Sequence, residues 1–153
     1  MNKSALVNQL IAIKEAKLQQ TKDALAAAHA AATDEQSVPE TQYDTLGLEA
    51  SYLALGQSKR LAELTANVVG LKQYSPRDFC NDDEISPGAV ITFEQLDIQY
   101  FLCPYSSGEM LQGDKVVAIS PDSPIGTEIQ GLVTGDELTF PNQTIPREII
   151  RIE

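Results

Sequence analysis

Four carboxylates lie close together around one proline-containing turn in the first third of the chain: Asp34, Glu35, Glu40 and Asp44. Carboxylate oxygens are the ligands that hard divalent cations prefer, but exposed carboxylates hold such a cation only weakly on their own. The stretch between Asp23 and Lys59 contains no lysine or arginine to neutralise them. Helix ends also favour acids and caps for their own stability, so the cluster fits either a functional tip or ordinary helix capping.

The turn itself is fixed by Pro39, which cannot lie inside a continuous helix because it lacks an N–H and its ring clashes with the preceding turn. Val38, just before it, is also disfavoured in the helical region. Beyond the turn, Thr41 can cap a second helix that carries Asp44 in its first turn. We therefore expect two antiparallel helices that meet at an acidic tip.

Helical periodicity on both sides of the turn predicts a coiled-coil hairpin over residues 1–74. Residues 2–32 carry a seam with spacings of three and four, formed by Leu6, Leu10, Ile13, Lys17, Gln20, Ala24, Ala27 and Ala31. Residues 41–71 carry a second seam, formed by Leu46, Ala50, Leu53, Leu61, Leu64, Val68 and Leu71. The matched arms favour an intramolecular hairpin and an elongated monomer. A self-associating coiled-coil dimer is the alternative.

The period changes after the arm. Residues 75–85 are polar and acidic and contain a proline, which predicts a linker. Residues 86–153 form the second predicted domain, with β-rich runs at 89–93, 99–103, 115–119, 138–140 and 148–152. Ser123 as a cap and Pro124 at the first helical position predict a short helix that ends near Gly131. The predicted fold class is α+β, in which a helical hairpin precedes a small antiparallel sheet with one short helix.

Composition excludes several kinds of function. The chain has 11 basic and 22 acidic residues and a formal net charge of -11, which argues against binding to a nucleic-acid backbone and against direct sequence-specific DNA binding. His29 is the single histidine, and Cys80 and Cys103 have no metal-type spacing, so a zinc site lacks ligands. Neither a signal peptide nor a membrane span is expected, and two reduced thiols suit the cytoplasm. No nucleophile–base pair is apparent, so we do not expect an enzyme.

Two neighbouring motifs resemble the signature of the bacterial Gre transcription elongation factors. The first is Ile119-Ser120-Pro121-Asp122-Ser123-Pro124-Ile125-Gly126, and the second is Gly131-Leu132-Val133-Thr134-Gly135-Asp136-Glu137-Leu138. In that family an Ile-Ser and a Ser-Pro-(Leu/Ile)-Gly are followed by a short helix and by Gly-x-x-x-Gly-Asp-Glu-Val. The order of hairpin, linker and sheet domain also matches, so the resemblance covers nearly the whole chain.

The resemblance implies a fold, a partner and site residues. The sheet domain is expected to look like the FK506-binding-protein fold and to dock on the rim of the RNA polymerase secondary channel. Asp122, Ser123 and Pro124 match family positions that contact the polymerase. The hairpin tip is then expected to reach down the channel toward the catalytic magnesium. No cofactor is expected to be tightly bound, apart from Mg²⁺ shared with the polymerase site.

The tip departs from the family pattern. Cleavage-stimulating members carry Asp-Leu-x-Glu-Asn-Ala-Glu-Tyr, and when Glu40 is placed on the first Glu, Ser37 stands where the Asp belongs. Gln42-Tyr43 replaces the Glu-Tyr pair, one residue short, and acidity moves to Asp34, Glu35 and Asp44. The resemblance therefore leaves two roles open, namely modulation of transcript cleavage in backtracked complexes and channel inhibition without cleavage. An isomerase or chaperone of the FK506-binding-protein type is the alternative from another class.

Overall fold

Two compact units make up the computed structural model, which describes residues 1–33 and 45–153. Unit 1 comprises Met1–Ile11 and Gly70–Glu153, and unit 2 comprises Ala12–Val69. Helices α1 (Lys3–Thr33) and α2 (Thr45–Gln73) each contribute residues to both units. The boundaries 1–74, 75–85 and 86–153 concern independently folding parts of the chain, and they stay a prediction.

Unit 2 contains the remaining lengths of α1 and α2. Both helices line one polar cleft of about 210 Å³, to which α1 contributes Gln20, Thr21 and Ala24 and α2 contributes Gln57 and Arg60. The predicted burial of Leu64 and Val68 in α2 is confirmed. Leu53 was placed in the same seam, but it is 56% exposed, so that assignment is wrong.

The predicted seam of α1 is correct at its start and wrong in its second half. Leu6 and Leu10 are buried, whereas Gln20, Ala24, Ala27 and Ala31 are exposed. The buried positions farther along α1 are Lys14, Thr21 and Ala28, which continue at intervals of seven residues from Val7. A seven-residue interval is the period of a helix packed along a neighbour. Lys14 and Thr21 are polar, so apolar residues at helical spacing predicted a seam through the alanines instead.

Unit 1 is built on a six-stranded sheet with the order β3-β4-β2-β1-β6-β5. The strands are β1 (Val90–Phe93), β2 (Gln99–Leu102), β3 (Glu109–Leu111), β4 (Val116–Ile119), β5 (Glu137–Leu138) and β6 (Arg147–Ile152). Five of them fall on the predicted runs, and the α+β class is confirmed. Among the described residues, no helix is both long and apolar enough to cross a membrane.

The prediction of a purely antiparallel sheet is wrong, because β2 and β4 are parallel, with Gln99 opposite Val116 and Leu102 opposite Ile119. The cause is the strand that sequence reasoning missed, β3, which pairs with β4 in the antiparallel sense. A strand placed between β2 and β4 in the chain reverses the direction once more, so β4 runs the same way as β2. Three residues that begin with Glu109 give too weak a β signal to be detected.

The sheet is covered on both faces. One face packs with the short helix α3 (Pro124–Ile129) in a core that includes Phe93, Leu102, Ile119, Ile129 and Ile149. On the other face, Val90, Phe101, Val116 and Ala118 are fully buried, as are Leu6, Leu10 and Leu71 from the helix ends in the same unit. Gln9 Oε1 also accepts a hydrogen bond from the backbone N–H of Gln112 at 3.0 Å.

The predicted linker packs closely on the sheet of unit 1. Ile85 is buried, and its backbone N–H and C=O bond to Leu132 and Gly131. Asn81 Oδ1 accepts a hydrogen bond from the backbone N–H of Ile152. Phe79 lies between two cations, with Lys3 Nζ 4.5 Å and the Arg77 guanidinium 4.0 Å from its ring centroid. Burial lowers the pKa of Lys3, whose ammonium donates to the Arg77 carbonyl.

Candidate functional site

The four acids of the predicted tip, Asp34, Glu35, Glu40 and Asp44, lie outside the described residues. Their geometry and the Mg²⁺ assignment therefore stay predictions. Within residues 1–33 and 45–153, no cluster of three or more His, Cys, Asp or Glu side chains could hold a metal ion.

The predicted docking residues Asp122, Ser123 and Pro124 come together at the start of α3. The helix begins as predicted, with Ser123 as the N-cap in extended backbone and Pro124 in the first turn. The Ser123 hydroxyl accepts a hydrogen bond from the Gly126 N–H at 3.0 Å and donates to the Ser120 carbonyl at 2.7 Å. The Thr127 N–H bonds to the Ser123 carbonyl at 2.8 Å. These bonds hold the loop and the first turn in one conformation.

Gly126 is required by close packing in this turn. A Cβ at this position would collide with the carbonyl oxygen of Ser120 and would lie 2.8 Å from the Ser123 hydroxyl. The first of these contacts is with backbone, which cannot swing aside as a flexible side chain can. Each determinant in Ser-Pro-Ile-Gly thus has a structural reason. Ser123 caps the helix, Pro124 fits its first turn, and Gly126 leaves room for the Ser120 carbonyl.

The second motif forms a turn that supports the sheet. Asp136 Oδ2 accepts a hydrogen bond from the Val133 N–H at 2.8 Å, and its carbonyl accepts one from the Ile149 N–H of β6. Gly131 and Gly135 have φ of +82° and +95°, a region that favours glycine. The role of Asp136 is therefore structural.

An apolar groove of about 360 Å³ runs beside the start of α3. It is lined by Ser107, Gly108, Ile119, Ser120, Ser123, Pro124, Ile125 and Pro141. The hydroxyls of Ser120 and Ser123 are bonded to the loop backbone, so they add little polarity to the groove. The lining contains no acid, base or thiol, which suits the groove to binding an apolar side chain of a partner and not to bond chemistry.

The three predicted docking residues differ in their exposure. Asp122 and Pro124 are exposed at the groove, whereas Ser123 is half-buried. Because the Ser123 hydroxyl makes two internal bonds, replacing it would remove a helix cap, which typically costs about 1 kcal/mol. Asp122 and Pro124 are therefore better probes of an interface than Ser123.

Sequence reasoning missed the far walls of the groove, at Ser107-Gly108 and Pro141. The first wall belongs to the loop between β2 and β3, which also anchors the end of α2. The ring of Tyr105 packs against Gly70, where a Cβ would lie only 2.5 Å from the ring. The positive φ of Tyr105 (66°) and Gly108 (89°) marks tight turns, and the glycine at 108 was the one signal in the sequence.

Three aromatic residues of unit 1 form a core cluster. The rings of Phe93, Tyr100 and Phe140 contact one another, with centroids 5.0–5.5 Å apart. Phe93 and Phe140 are buried, and Phe101 packs on the opposite face of the sheet. These three rings thus fill the core of unit 1 on the face of the sheet that α3 covers.

Tyr74 carries a buried hydroxyl with no hydrogen-bond partner in the described part of the chain. Burial, with a smaller contribution from Cys103, raises its pKa to about 12. The unfolded chain therefore loses this proton first, so folding stability falls as pH rises from about 10 through 12. We expect Tyr74→Phe to be neutral or stabilising by about 1 kcal/mol at pH 7, and to lose less stability than the native chain above pH 10.

Urea unfolding followed by circular dichroism between pH 7 and 12 measures this difference. Burial also raises the pKa of Tyr100, so the variant should keep part of the alkaline loss. Tyr52→Phe is the matched control, since Tyr52 is 66% exposed and the change removes the same hydroxyl. Identical alkaline profiles for Tyr74→Phe and the native chain would contradict the assignment.

Comparisons with known proteins give matches among solved structures. No protein-family model matches the chain, and no curated protein matches it. A crystal structure of the GreA factor homolog 1 (Gfh1) protein of Thermus thermophilus is 15% identical, with a TM-score of 0.39 and 94% of each chain covered. Thermus aquaticus Gfh1 is 18% identical, with a TM-score of 0.37, and the match covers 99% of this chain and 96% of that one. A structure of the transcription factor Gfh1 is 17% identical, with a TM-score of 0.38 and coverage of 97% and 92%.

Proposed function

We propose that this chain is a divergent Gre-like transcription elongation factor that binds RNA polymerase through the groove beside α3. The observation that carries the proposal is the Ser-Pro-Ile-Gly loop. Its hydrogen bonds and its requirement for Gly126 fix the loop, and Asp122 and Pro124 are exposed next to an apolar groove. A rigid loop with a charged residue and an apolar recess suits recognition of a protein surface, because little conformational entropy is lost on binding.

The rest of the proposal concerns the arm. The segment between α1 and α2, residues 34–44, enters the secondary channel and brings Glu40, with Asp34, Glu35 and Asp44, toward the catalytic magnesium. There the carboxylates modulate transcript cleavage by the polymerase's own site, and the chain is not itself an enzyme. If the displaced acids fail to complete the metal site, the arm acts as an inhibitor that occupies the channel. The coiled-coil packing of the arm, the FK506-binding-protein likeness of unit 1 and the monomeric state belong to the same proposal.

The proposal is tested by binding core RNA polymerase to the immobilised full-length chain. We expect the native chain to bind and Asp122→Arg to bind at least ten-fold more weakly, which corresponds to about 1.4 kcal/mol. Asp82→Arg is the matched control, because Asp82 is also an exposed aspartate in a turn of unit 1 and is remote in sequence from the groove-lining segments. Both variants should melt at the native temperature, since neither side chain is buried.

Two results would contradict the proposal. Absence of polymerase binding by the native chain would remove the proposed partner. Equal binding by the native chain and by both variants would show that the polymerase is bound elsewhere than at the start of α3.

A further inference from the structure

Helix α2 carries a second apolar seam on its solvent-exposed side. The seam residues follow one another at intervals of four and three along 22 residues, and we call them the outer seam: Leu48, Tyr52, Leu55, Lys59, Ala62, Ala66 and Val69. All seven are exposed, and Leu48, Tyr52, Leu55 and Val69 are each more than half exposed. The buried residues of α2 in unit 2, Leu64 and Val68, are offset from this series, so the outer seam lies on a different side of the helix.

A regular alternation of four and three is the spacing with which one helix packs along another. Scattered exposed apolar residues are common on any protein, but six apolar residues in seven consecutive seam positions are not scattered. The seam extends about 32 Å at 1.5 Å per residue, or about six helical turns. Ala62 and Ala66 are small enough to let a second backbone approach closely, while Leu48, Tyr52 and Leu55 supply bulk.

The charges on the seam argue against a second copy of this chain as the occupant. In a parallel pair of copies, Lys59 of one copy would face Lys59 of the other. In an antiparallel pair that sets the large residues against the alanines, Glu49 of one copy would lie opposite Glu63 of the other, because each follows a seam residue directly. Both side chains are exposed, and like charges across such a pair are destabilising. The net charge of -11 also opposes self-association.

The size of the seam also argues against a dimer held together by this surface alone. A stable dimer usually buries about 800 Å² and about 20–30 residues on each partner. The seven seam residues with their immediate neighbours reach only the lower end of that range, so the seam suits one contact within a larger interface. A partner that is held at another site as well gains affinity from a second, weaker contact through effective concentration.

We propose that the outer seam of α2 binds an α-helix of the polymerase, one with apolar residues at heptad spacing, an acid opposite Lys59 and basic residues opposite Glu49 and Glu63. This inference rests on the proposed function, because it takes RNA polymerase as the partner. It adds a lengthwise helix–helix contact in unit 2 to the groove of unit 1 and the acidic tip.

The experiment compares two substitutions of the same kind in the same helix. Leu55→Arg places a charge in the outer seam, whereas Leu53→Arg is the matched control, since Leu53 is 56% exposed but lies outside the seam. Ala66→Arg is a second seam variant, which adds bulk where a close approach is needed. Binding of each full-length variant to core RNA polymerase is measured together with its melting temperature and its sedimentation. We expect Leu55→Arg and Ala66→Arg to weaken binding five-fold or more at the native melting temperature, and Leu53→Arg to bind like the native chain.

Three results would overturn the inference. If the native chain binds polymerase and the seam variants bind equally well, the seam is not a contact, while the proposed function stands. If the native chain does not bind polymerase, both the proposed function and this use of the seam are wrong. If the native chain sediments as a dimer that Leu55→Arg dissociates, the occupant is a second copy of the chain.

Discussion

Replacing Gly126 by alanine is expected to destabilise unit 1 by about 3 kcal/mol or more, at or above the usual range for overpacking. The added methyl group would collide with the Ser120 carbonyl oxygen and press on the Ser123 hydroxyl that caps α3. The turn could relieve the collision only by breaking the cap or by displacing α3, whose Ile129 is fully buried in the core. Thermal unfolding followed by circular dichroism should show a melting temperature lower by on the order of 10 °C.

Gly56→Ala is the matched control, because the same methyl group is added where no atom lies within 4 Å. Gly56 is inside α2, and alanine is favoured over glycine in a helix by about 1 kcal/mol. The two substitutions should therefore have opposite signs. A Gly126→Ala variant as stable as the native chain would mean that the loop is not held as tightly as its hydrogen bonds indicate.

The start of α3 could be predicted because its determinants are local. A cap, a proline in the first turn and a glycine lie within four residues, and each acts on backbone a few positions away. The strand runs of the sheet were found for the same reason, since β-branched and aromatic residues mark them directly. The groove could not be predicted, because its walls at Ser107-Gly108 and Pro141 meet α3 only through the tertiary fold.

The parallel pairing of β2 with β4 was beyond sequence reasoning because it depends on one short strand. Glu109–Leu111 has three residues, and its middle residue, Met110, carries no strong β preference. Its pairing with β4 is what reverses the chain direction. An error over three residues thus changed the topology of the whole sheet, although it left the fold class unchanged.

A helix can be predicted correctly in its extent while the side of it that is buried is predicted wrongly. The extent of α1 was predicted to within a residue at each end, but the alanines of its second half were placed in the seam. Thr21 is buried there instead, since its hydroxyl is satisfied by the Lys17 carbonyl at 2.8 Å. A buried polar residue that satisfies its own hydrogen bond leaves no hydrophobic signal. On α2 the hydrophobic signal is present without burial, because Leu55 and Tyr52 are apolar and exposed.

Removing the tip carboxylates is expected to abolish any transcript cleavage that this chain stimulates. Glu40 is the one acid that coincides with a family acid in the Gre resemblance, and Asp34 and Glu35 supply the displaced charge nearby. Because isolated surface carboxylates hold Mg²⁺ weakly, the proposed site would be complete only with the polymerase's own metal and nucleic acid present. Two carboxylates that hold a second Mg²⁺ and orient a water would let the polymerase hydrolyse the transcript. We expect Glu40→Ala alone to lower the cleavage rate at least ten-fold, and Asp34→Ala with Glu35→Ala to lower it further.

The measurement follows the release of short RNA from stalled, backtracked complexes with the native chain and each variant, at equal occupancy of the polymerase. Equal occupancy matters because the proposal makes docking through the groove beside α3 and action at the tip two separate steps. Asp82→Arg, which changes an exposed charge outside the groove lining and the tip, should cleave at the native rate. If the native chain binds but gives no cleavage above background, the arm is an occupant of the channel, and it should slow nucleotide addition competitively with substrate. If cleavage is stimulated and survives loss of all three acids, Glu40, Asp34 and Glu35 do not hold the metal, and the ligands must be sought in Asp44 or in the polymerase itself.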